Sequence, residues 1–242
     1  MGLFDFFSGG NNPEKAIEKH RTRLMDKYRQ TQERYAAMDD LMAIGSAPAI
    51  AALLMRFTFR VDGPTVDEEE KTYCYQVVTQ AGHVAVEPLK AFIQSNNAVY
   101  FPLRALRDIA GDEIAVAALL KAMADCDPGY HDGLERLREI VSNLRDFQHE
   151  RVREALTGLL TSRSDEIRFY ALDGLATYPG EEVAALFAAR LLDEEETQRV
   201  KGLACELAVD KELRFKKWAT ELAPKLGPSY RFDSEFRIQR KG

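Results

Sequence analysis

Apolar residues recur along most of the chain at spacings of three and four positions, which is the period of one face of an α-helix. Alternating runs rich in β-branched residues, which would indicate strands, are nearly absent. The apparent helices are short, and a glycine follows several of them. The pattern therefore predicts an all-α protein and raises the question of an internal repeat.

Five predicted helices share one sequence pattern. They lie within 47–57, 83–93, 112–123, 150–160 and 181–192, and they align on Leu53, Leu89, Leu119, Leu156 and Leu186. An alanine precedes the aligned leucine in four of the five, and the intervals of 36, 30, 37 and 30 residues suit one helical pair per unit. We expect these small side chains to let the second helices of neighbouring units approach closely.

A further helix with an apolar face precedes each of these five. These first helices lie within 35–45, 71–82, 100–111, 134–146 and 167–180, and four of them are followed by a glycine: Gly45, Gly82, Gly111 and Gly180. A left-handed glycine ends a helix and reverses the chain, so each unit is predicted to be helix, tight turn, helix. Asn12 as N-cap and Pro13 as first residue predict the start of an initial helix. An apolar stripe that continues from Ile17 to Met42 predicts that this helix is unusually long and caps the first repeat.

The stretch 164–196 carries the pattern acidic, aliphatic, arginine, then alanine and leucine, at Asp165, Ile167, Arg168, Ala171 and Leu175. It resembles a HEAT repeat of the type also found in phycobilin lyases. In the next unit Arg199 is aligned with Arg168. The resemblance implies a right-handed α-solenoid, or α-α superhelix, of about six HEAT-like helical pairs. It also implies a structural role between repeats for Asp165, Arg168 and Arg199.

Composition adds an uneven charge distribution. The 242 residues contain 33 basic and 39 acidic side chains, for a formal charge of −6. Residues 14–35 carry +3, residues 36–210 carry −13 and residues 211–242 carry +5. Because phosphate binding depends on positive charge, nucleic acid is not expected as a ligand of the acidic body, and an anionic partner is expected at the ends. No apolar run reaches the length of a membrane span, and the chain is predicted to be cytoplasmic.

The two ends are predicted to be segments of their own, flanking a solenoid over 13–227. Segment 1–12 has four apolar residues, Leu3, Phe4, Phe6 and Phe7, before a Gly/Asn-rich joint. Three interpretations stay open for it: folding back onto the solenoid, docking to a partner or sister subunit, or contact with a membrane surface. Segment 228–242 alternates aromatic and basic residues. Either it binds an acidic surface or nucleic acid, or it is a strand-like tail across the last repeat, which we favour.

No catalytic, metal or cofactor site is predicted. Cys74, Cys126 and Cys205 lack the spacing of metal ligands and are interpreted as reduced, buried thiols. Only His149 is followed by a glutamate, whereas the di-iron deoxyhypusine hydroxylases need several His-Glu pairs. The acidic runs 67–70 and 193–196 are interpreted as solvated helix starts, and 125–133 as an inter-repeat loop rather than a calcium loop.

The sequence therefore favours a non-catalytic scaffold or adaptor that holds a protein partner on a concave face lined by the second helices. The candidate binding residues are Arg56, Lys90, Lys121, Arg153 and Arg190, together with Leu3, Phe4, Phe6 and Phe7. The alternative is a HEAT-fold enzyme, of the phycobilin lyase or isomerase type or, less favoured, of the alkylpurine DNA glycosylase type. An enzyme would have a deep pocket with converging polar groups. The oligomeric state is not predicted.

Overall fold

The computed structural model describes residues 12–126 and 131–241. Within these residues the protein is all-α, as predicted, with thirteen α-helices and one small antiparallel hairpin. The chain divides into two compact units, Met1–Ala122 and Met123–Gly242. Each unit has its own set of buried apolar side chains.

The first unit alternates the predicted first and second helices. Its helices are α1 (Pro13–Met25), α2 (Thr31–Ile44), α3 (Ala47–Leu54), α4 (Pro64–Gln80), α5 (Val86–Ser95), α6 (Tyr100–Ala110) and α7 (Asp112–Ala124), with 3₁₀ turns at Met55–Thr58 and Gly82–Ala85. The first helices α2, α4 and α6 pack on one another in order. Gly45 has φ 62° and ψ 11° and donates to the Leu41 carbonyl, so it ends α2 as predicted.

The prediction of one long initial helix is wrong, because the chain breaks between α1 and α2. Asn12 does cap α1 by accepting from the Glu14 amide. At the other end, the Asp26 carboxylate accepts from the Tyr28 amide and holds the chain out of the helix. Residue Arg34 of α2 then donates to carbonyl oxygens of the residues in this break.

The second unit follows the same alternation. Its helices are α8 (His131–Leu144), α9 (Glu150–Leu159), α10 (Asp165–Leu175), α11 (Glu181–Leu192), α12 (Gln198–Asp210) and α13 (Ala219–Leu222), and its strands are β1 (Tyr230–Phe232) and β2 (Ile238–Arg240). Helix α10 packs between α8 and α12, and it also contacts α9. The first helices of this unit thus also form a continuous layer.

The sequence alignment is off by one residue in α11. Leu53, Leu89, Leu119 and Leu156 are fully buried, whereas Leu186 is only partly buried. Phe187, the next residue, is fully buried in its place. A one-residue shift rotates a helix by about 100°, so the structure alone identifies the buried stripe.

The C-terminal segment forms a hairpin rather than a free extended tail. Strands β1 and β2 are antiparallel, with Tyr230 opposite Arg240. Strand β2 packs on α12, with Ile238 2% exposed, and Phe232 lies against Phe215 with ring centroids 6.3 Å apart. The favoured interpretation of a strand-like segment packed on the last helices matches this arrangement.

Candidate functional site

A groove lies between α5 and α7, two of the helices that the sequence predicts as second helices. Its lining consists of four residues from each helix: Glu87, Lys90, Ala91 and Gln94 from α5, and Ile114, Ala117, Ala118 and Lys121 from α7. Each set follows the three- and four-residue spacing of a single helix face. The groove has a volume of about 470 Å³, which lies within the usual size of binding pockets.

The groove exists because the second helices are unevenly spaced. Helices α3 and α5 pack directly, as the small-residue pattern predicts, but α5 and α7 make no comparable approach within the described residues. The side chains facing the gap include Ala91, Ala117 and Ala118, which are too small to fill it. The result is a depression with a largely apolar floor.

The rim of the groove carries charge. Lys90 Nζ lies 2.8 Å from Glu87 Oε1 on the same helix, and both groups reach solvent. Lys121 is exposed and has no ion pair among the described residues. Two of the five candidate lysines and arginines therefore line one groove, and one of them is free to meet an acidic partner.

The prediction that Arg56 lies on the binding surface is wrong. Its side chain is fully buried, with Nε 2.9 Å from Glu70 Oε2 and Nη2 2.8 Å from Asp67 Oδ1. Arg34 Nη2 contacts the other Glu70 oxygen at 2.6 Å, and Lys71 Nζ contacts Asp67 at 2.6 Å. These five residues form the buried charge cluster. Arg56 points inward because it lies in the 3₁₀ turn that follows α3, against the carboxylates of α4.

The buried charge cluster holds its carboxylates in the ionised form. Burial raises the pKa of Glu70, but hydrogen bonds from Arg34 and the charge of Arg56 outweigh burial and lower it below its ordinary value of 4.5. Burial likewise opposes ionisation of Asp67, yet hydrogen bonds from Lys71 and Arg56 lower its pKa below 3.8. Both carboxylates therefore bind protons less readily in the folded protein than in the unfolded chain.

We expect the first unit to lose stability in acid. A carboxylate with a depressed folded-state pKa stabilises the fold above its unfolded pKa, and the stabilisation is lost as pH falls through the folded pKa. The free energy of unfolding should therefore decline as pH falls below about 4.5, the ordinary pKa of Glu70. Urea titrations from pH 7 to pH 3 measure this. The Glu70→Gln variant is the control: a decline as steep as in the wild type would show that the cluster is not its source.

Arg153 and Arg190, two other candidate binding residues, are partly buried in ion pairs. Arg153 contacts Glu150 at 2.6 Å and also pairs with Glu182, which joins α9 to α11. Arg190 Nη1 donates to the Leu160 carbonyl at 3.2 Å and lies 3.6 Å from Glu196. The structure does not bring either arginine to the α5–α7 groove.

Arg168 joins α10 to the segment that precedes α12. Its Nη2 lies 2.6 Å from Glu196 Oε1, and its Nη1 donates to the Ser162 carbonyl at 2.7 Å. Asp165 and Arg199 also meet, but at 4.0 Å and with both side chains exposed. Of these two ion pairs, the buried Arg168–Glu196 pair is therefore the stronger link.

In the first unit, Arg34 makes the same kinds of contact as Arg168. Arg34 and Arg168 are each the fourth residue of their helix. Each binds a glutamate of the following repeat, Glu70 at a separation of 36 residues and Glu196 at 28. Each also donates Nη1 to carbonyls of the loop before its own helix. We call the two pairs the Arg–Glu clamps.

The sequence interpretation missed both glutamates. It treated the acidic runs 67–70 and 193–196 as solvated helix starts, yet Glu70 and Glu196 are buried. The available signal was an arginine at the fourth helical position followed, one repeat later, by an acidic run. Arginines pair with two buried members of the first run, Asp67 and Glu70, and with one buried member of the second, Glu196.

Arg199 is not the structural equivalent of Arg168. Ser164 caps α10 and Thr197 caps α12, each by accepting from the amide three residues on. Counted from these caps, Arg168 is the fourth residue and Arg199 only the second, so Lys201 is the equivalent of Arg168. Arg199 instead stacks on a ring of the neighbouring helix, 5.0 Å from the centroid of Phe169.

None of the three cysteines forms a disulfide among the described residues, and all are at least partly buried. Cys74 and Cys205 are buried, as predicted, and Cys126 is partly buried. Burial raises the pKa of Cys74 to about 12 and that of Cys205 to about 11. These two thiols are therefore protonated at neutral pH and unreactive.

Two predicted features lie wholly or partly outside the described residues. Leu3, Phe4, Phe6 and Phe7 lie outside them, as do residues 127–130 of the inter-repeat loop. Among residues 12–126 and 131–241, no three His, Cys, Asp or Glu side chains group as metal ligands would. No helix in the same ranges is long and apolar enough to cross a membrane.

Comparison with known proteins assigns no family to the chain. No protein-family model matches the chain, and no curated protein matches it significantly.

Proposed function

We propose that this protein is a non-catalytic adaptor of the HEAT-repeat type, which binds an acidic amphipathic helix of a partner protein in the α5–α7 groove. The observation that carries the proposal is the lining of the groove. Two parallel helix faces present small apolar side chains in the middle and Lys90 and Lys121 at the rim. This is the arrangement that helix-in-groove recognition uses.

The dimensions of the groove fit a helix. Each lining stripe spans from position i to position i+7, as from Glu87 to Gln94, which is about 10 Å along a helix axis. That length matches two turns of a bound helix, which present three or four apolar side chains. Each side chain that becomes buried contributes about 1.5 to 3 kcal/mol.

The charges of the groove favour an acidic partner. Lys121 has no internal ion pair among the described residues, and Lys90 has only an exposed one with Glu87. Exposed pairs contribute little to stability, so Lys90 can exchange its partner at small cost. Complementary charge at the rim accelerates association and sets orientation, while the apolar floor supplies affinity.

The Arg–Glu clamp of the first unit supports this function indirectly. Arg34 and Glu70 connect successive first helices through a buried ion pair. Helices α2 and α4, neither of which lines the groove, are thereby held in one arrangement. A groove on a rigid scaffold loses less conformational entropy when it binds a partner.

The test is a charge reversal in the groove with a matched control. Lys121→Glu should weaken capture of the partner at least about tenfold, because it repels the acidic face that the groove is built to hold. Lys19→Glu makes the same charge change on the exposed surface of α1. Affinity purification with quantitative mass spectrometry would compare the wild type and both variants. The proposal predicts proteins that are lost with Lys121→Glu and retained with Lys19→Glu; identical sets from all three would contradict it.

A further inference from the structure

The second unit contains a larger cavity that the proposed function does not use. It lies between the α10–α11 turn, residues 176–181, and the segment that follows α12, residues 211–216, with Ala184 of α11 also in its lining. Its volume is about 590 Å³. Tyr178 and Leu213 line it and are each only 8% exposed, so part of its wall is continuous with the core of the unit.

One wall is fixed by the hydroxyl group of Tyr178. This hydroxyl donates to the Phe147 carbonyl at 2.7 Å and accepts from the His149 amide at 3.3 Å. The α10–α11 turn is thereby attached to the loop before α9. The wall is therefore held in place by a neighbouring repeat.

The opposite wall is fixed by the end of α12. The Leu213 amide donates to the Ala208 carbonyl at 3.0 Å and the Glu212 amide to the Val209 carbonyl at 3.2 Å, which is a Schellman motif. Glu212 occupies the left-handed position with φ 51°, where glycine is usual. The residues after Glu212 pair with the C-terminal hairpin through a backbone β-bridge between Arg214 and Arg237.

The cavity is lined by three basic side chains. These are Lys211, Arg214 and Lys216. Arg214 is paired with Glu235 at 2.7 Å. Lys211 and Lys216 are exposed and have no ion pair within 4.0 Å in the part of the chain that the structure describes.

Two carboxylates also line the cavity, but neither neutralises these lysines. Glu181 pairs with Lys217 at 2.7 Å, and Glu212 lies 3.6 Å from Arg237. Lys217 and Arg237, the partners of these two carboxylates, do not line the cavity. The cavity therefore combines an apolar wall with two uncompensated positive charges.

We propose that this cavity is a binding site for a small organic anion. The carboxylate or phosphate group of the ligand lies between Lys211 and Lys216, and an apolar body of about the size of an aromatic ring contacts Ala176, Ala184 and Leu213. Charge-assisted hydrogen bonds to lysine select the anionic group. Removal of the apolar body from water supplies further affinity. The pre-formed walls lower the entropic cost of binding.

Isothermal titration of the full chain with three probes tests the proposal. Phenyl phosphate has both parts of the ligand, inorganic phosphate has the anionic group alone, and benzyl alcohol has the apolar body without charge. Phenyl phosphate should bind at least about tenfold more tightly than either of the others, because only it uses both parts of the site. No heat of binding up to about 10 mM phenyl phosphate would overturn the proposal.

Two charge-matched double variants locate the binding. Lys211→Met with Lys216→Met should weaken phenyl phosphate binding at least about tenfold. Arg231→Met with Lys241→Met removes the same charge from exposed positions of the same unit, outside the cavity lining, and should leave binding unchanged. Equal loss in both variants would mean a general response to net charge. Tighter binding of an acidic peptide than of phenyl phosphate would assign the cavity to a protein partner. Either outcome overturns the proposal.

Discussion

Replacing Glu70 with glutamine is expected to lower the free energy of unfolding of the first unit by about 3 to 5 kcal/mol. Glu70 is fully buried and lies between two buried arginines, Arg34 and Arg56. Glutamine keeps the size of the side chain but removes the charge that compensates the two guanidinium groups. A buried charge without its partner loses the hydration it had in the unfolded chain and gains little in return.

Chemical denaturation followed by circular dichroism measures this loss. The matched control is Glu69→Gln, one residue earlier on α4, where the side chain is exposed. That substitution should change the free energy of unfolding by no more than about 0.5 kcal/mol. If Glu70→Gln were as mild as its control, the buried charge cluster would not hold the repeats together.

A further variant separates the cost of an unpaired charge from the value of the pair. Replacing Glu70 with leucine and both Arg34 and Arg56 with methionine removes three of the five charges of the cluster, keeps similar volumes and leaves Asp67 paired with Lys71. Apolar replacements of whole buried ion pairs are often neutral or stabilising. The triple variant should therefore be more stable than Glu70→Gln, even though it has lost more polar contacts.

Replacing Glu196 with glutamine is expected to destabilise the second unit by about 3 kcal/mol, at the lower end of the range for a broken buried pair. Glu196 is 5% exposed and receives the guanidinium of Arg168 at 2.6 Å. Arg190 lies 3.6 Å from the second oxygen, and the Arg168 side chain is 11% exposed. Water can reach Arg168 more easily than Arg56, so the uncompensated charge costs less.

The neighbouring acidic residue provides the control for this prediction as well. Glu195 is exposed, so Glu195→Gln should leave the unfolding transition within about 0.5 kcal/mol of the wild type. Thermal and urea unfolding of both variants would be compared. If Glu195→Gln lowered the free energy of unfolding more than Glu196→Gln, the prediction that Glu196 is the essential partner of Arg168 would be contradicted.

The sequence pattern predicts some residues of the candidate groove correctly and fails at Arg56. Lys90 and Lys121 are candidates because they are polar residues of the second helices, and the structure places both on the groove. Arg56 was selected on the same grounds, but it lies in a 3₁₀ turn and is buried. Helical periodicity describes regular helices, so a candidate beyond the last regular turn loses its expected orientation.

The sequence by itself determined the features that depend on neighbours along the chain. The all-α class, the helical pairs and the turn at Gly45 follow from apolar spacing and from the conformational freedom of glycine, which act over a few residues. The N-cap at Asn12 is equally local, since its side chain accepts from an amide two residues away.

Only the tertiary structure decided which charges are buried and where second helices separate. Glu68, Glu69 and Glu70 are equivalent as a sequence, but only Glu70 of these three is buried, where it pairs with two arginines from 36 and 14 residues earlier. The α5–α7 groove likewise depends on the distance between two helices that are not adjacent in the chain. A buried charge is stable only beside its partner, and that partner is supplied by packing between repeats rather than by local sequence.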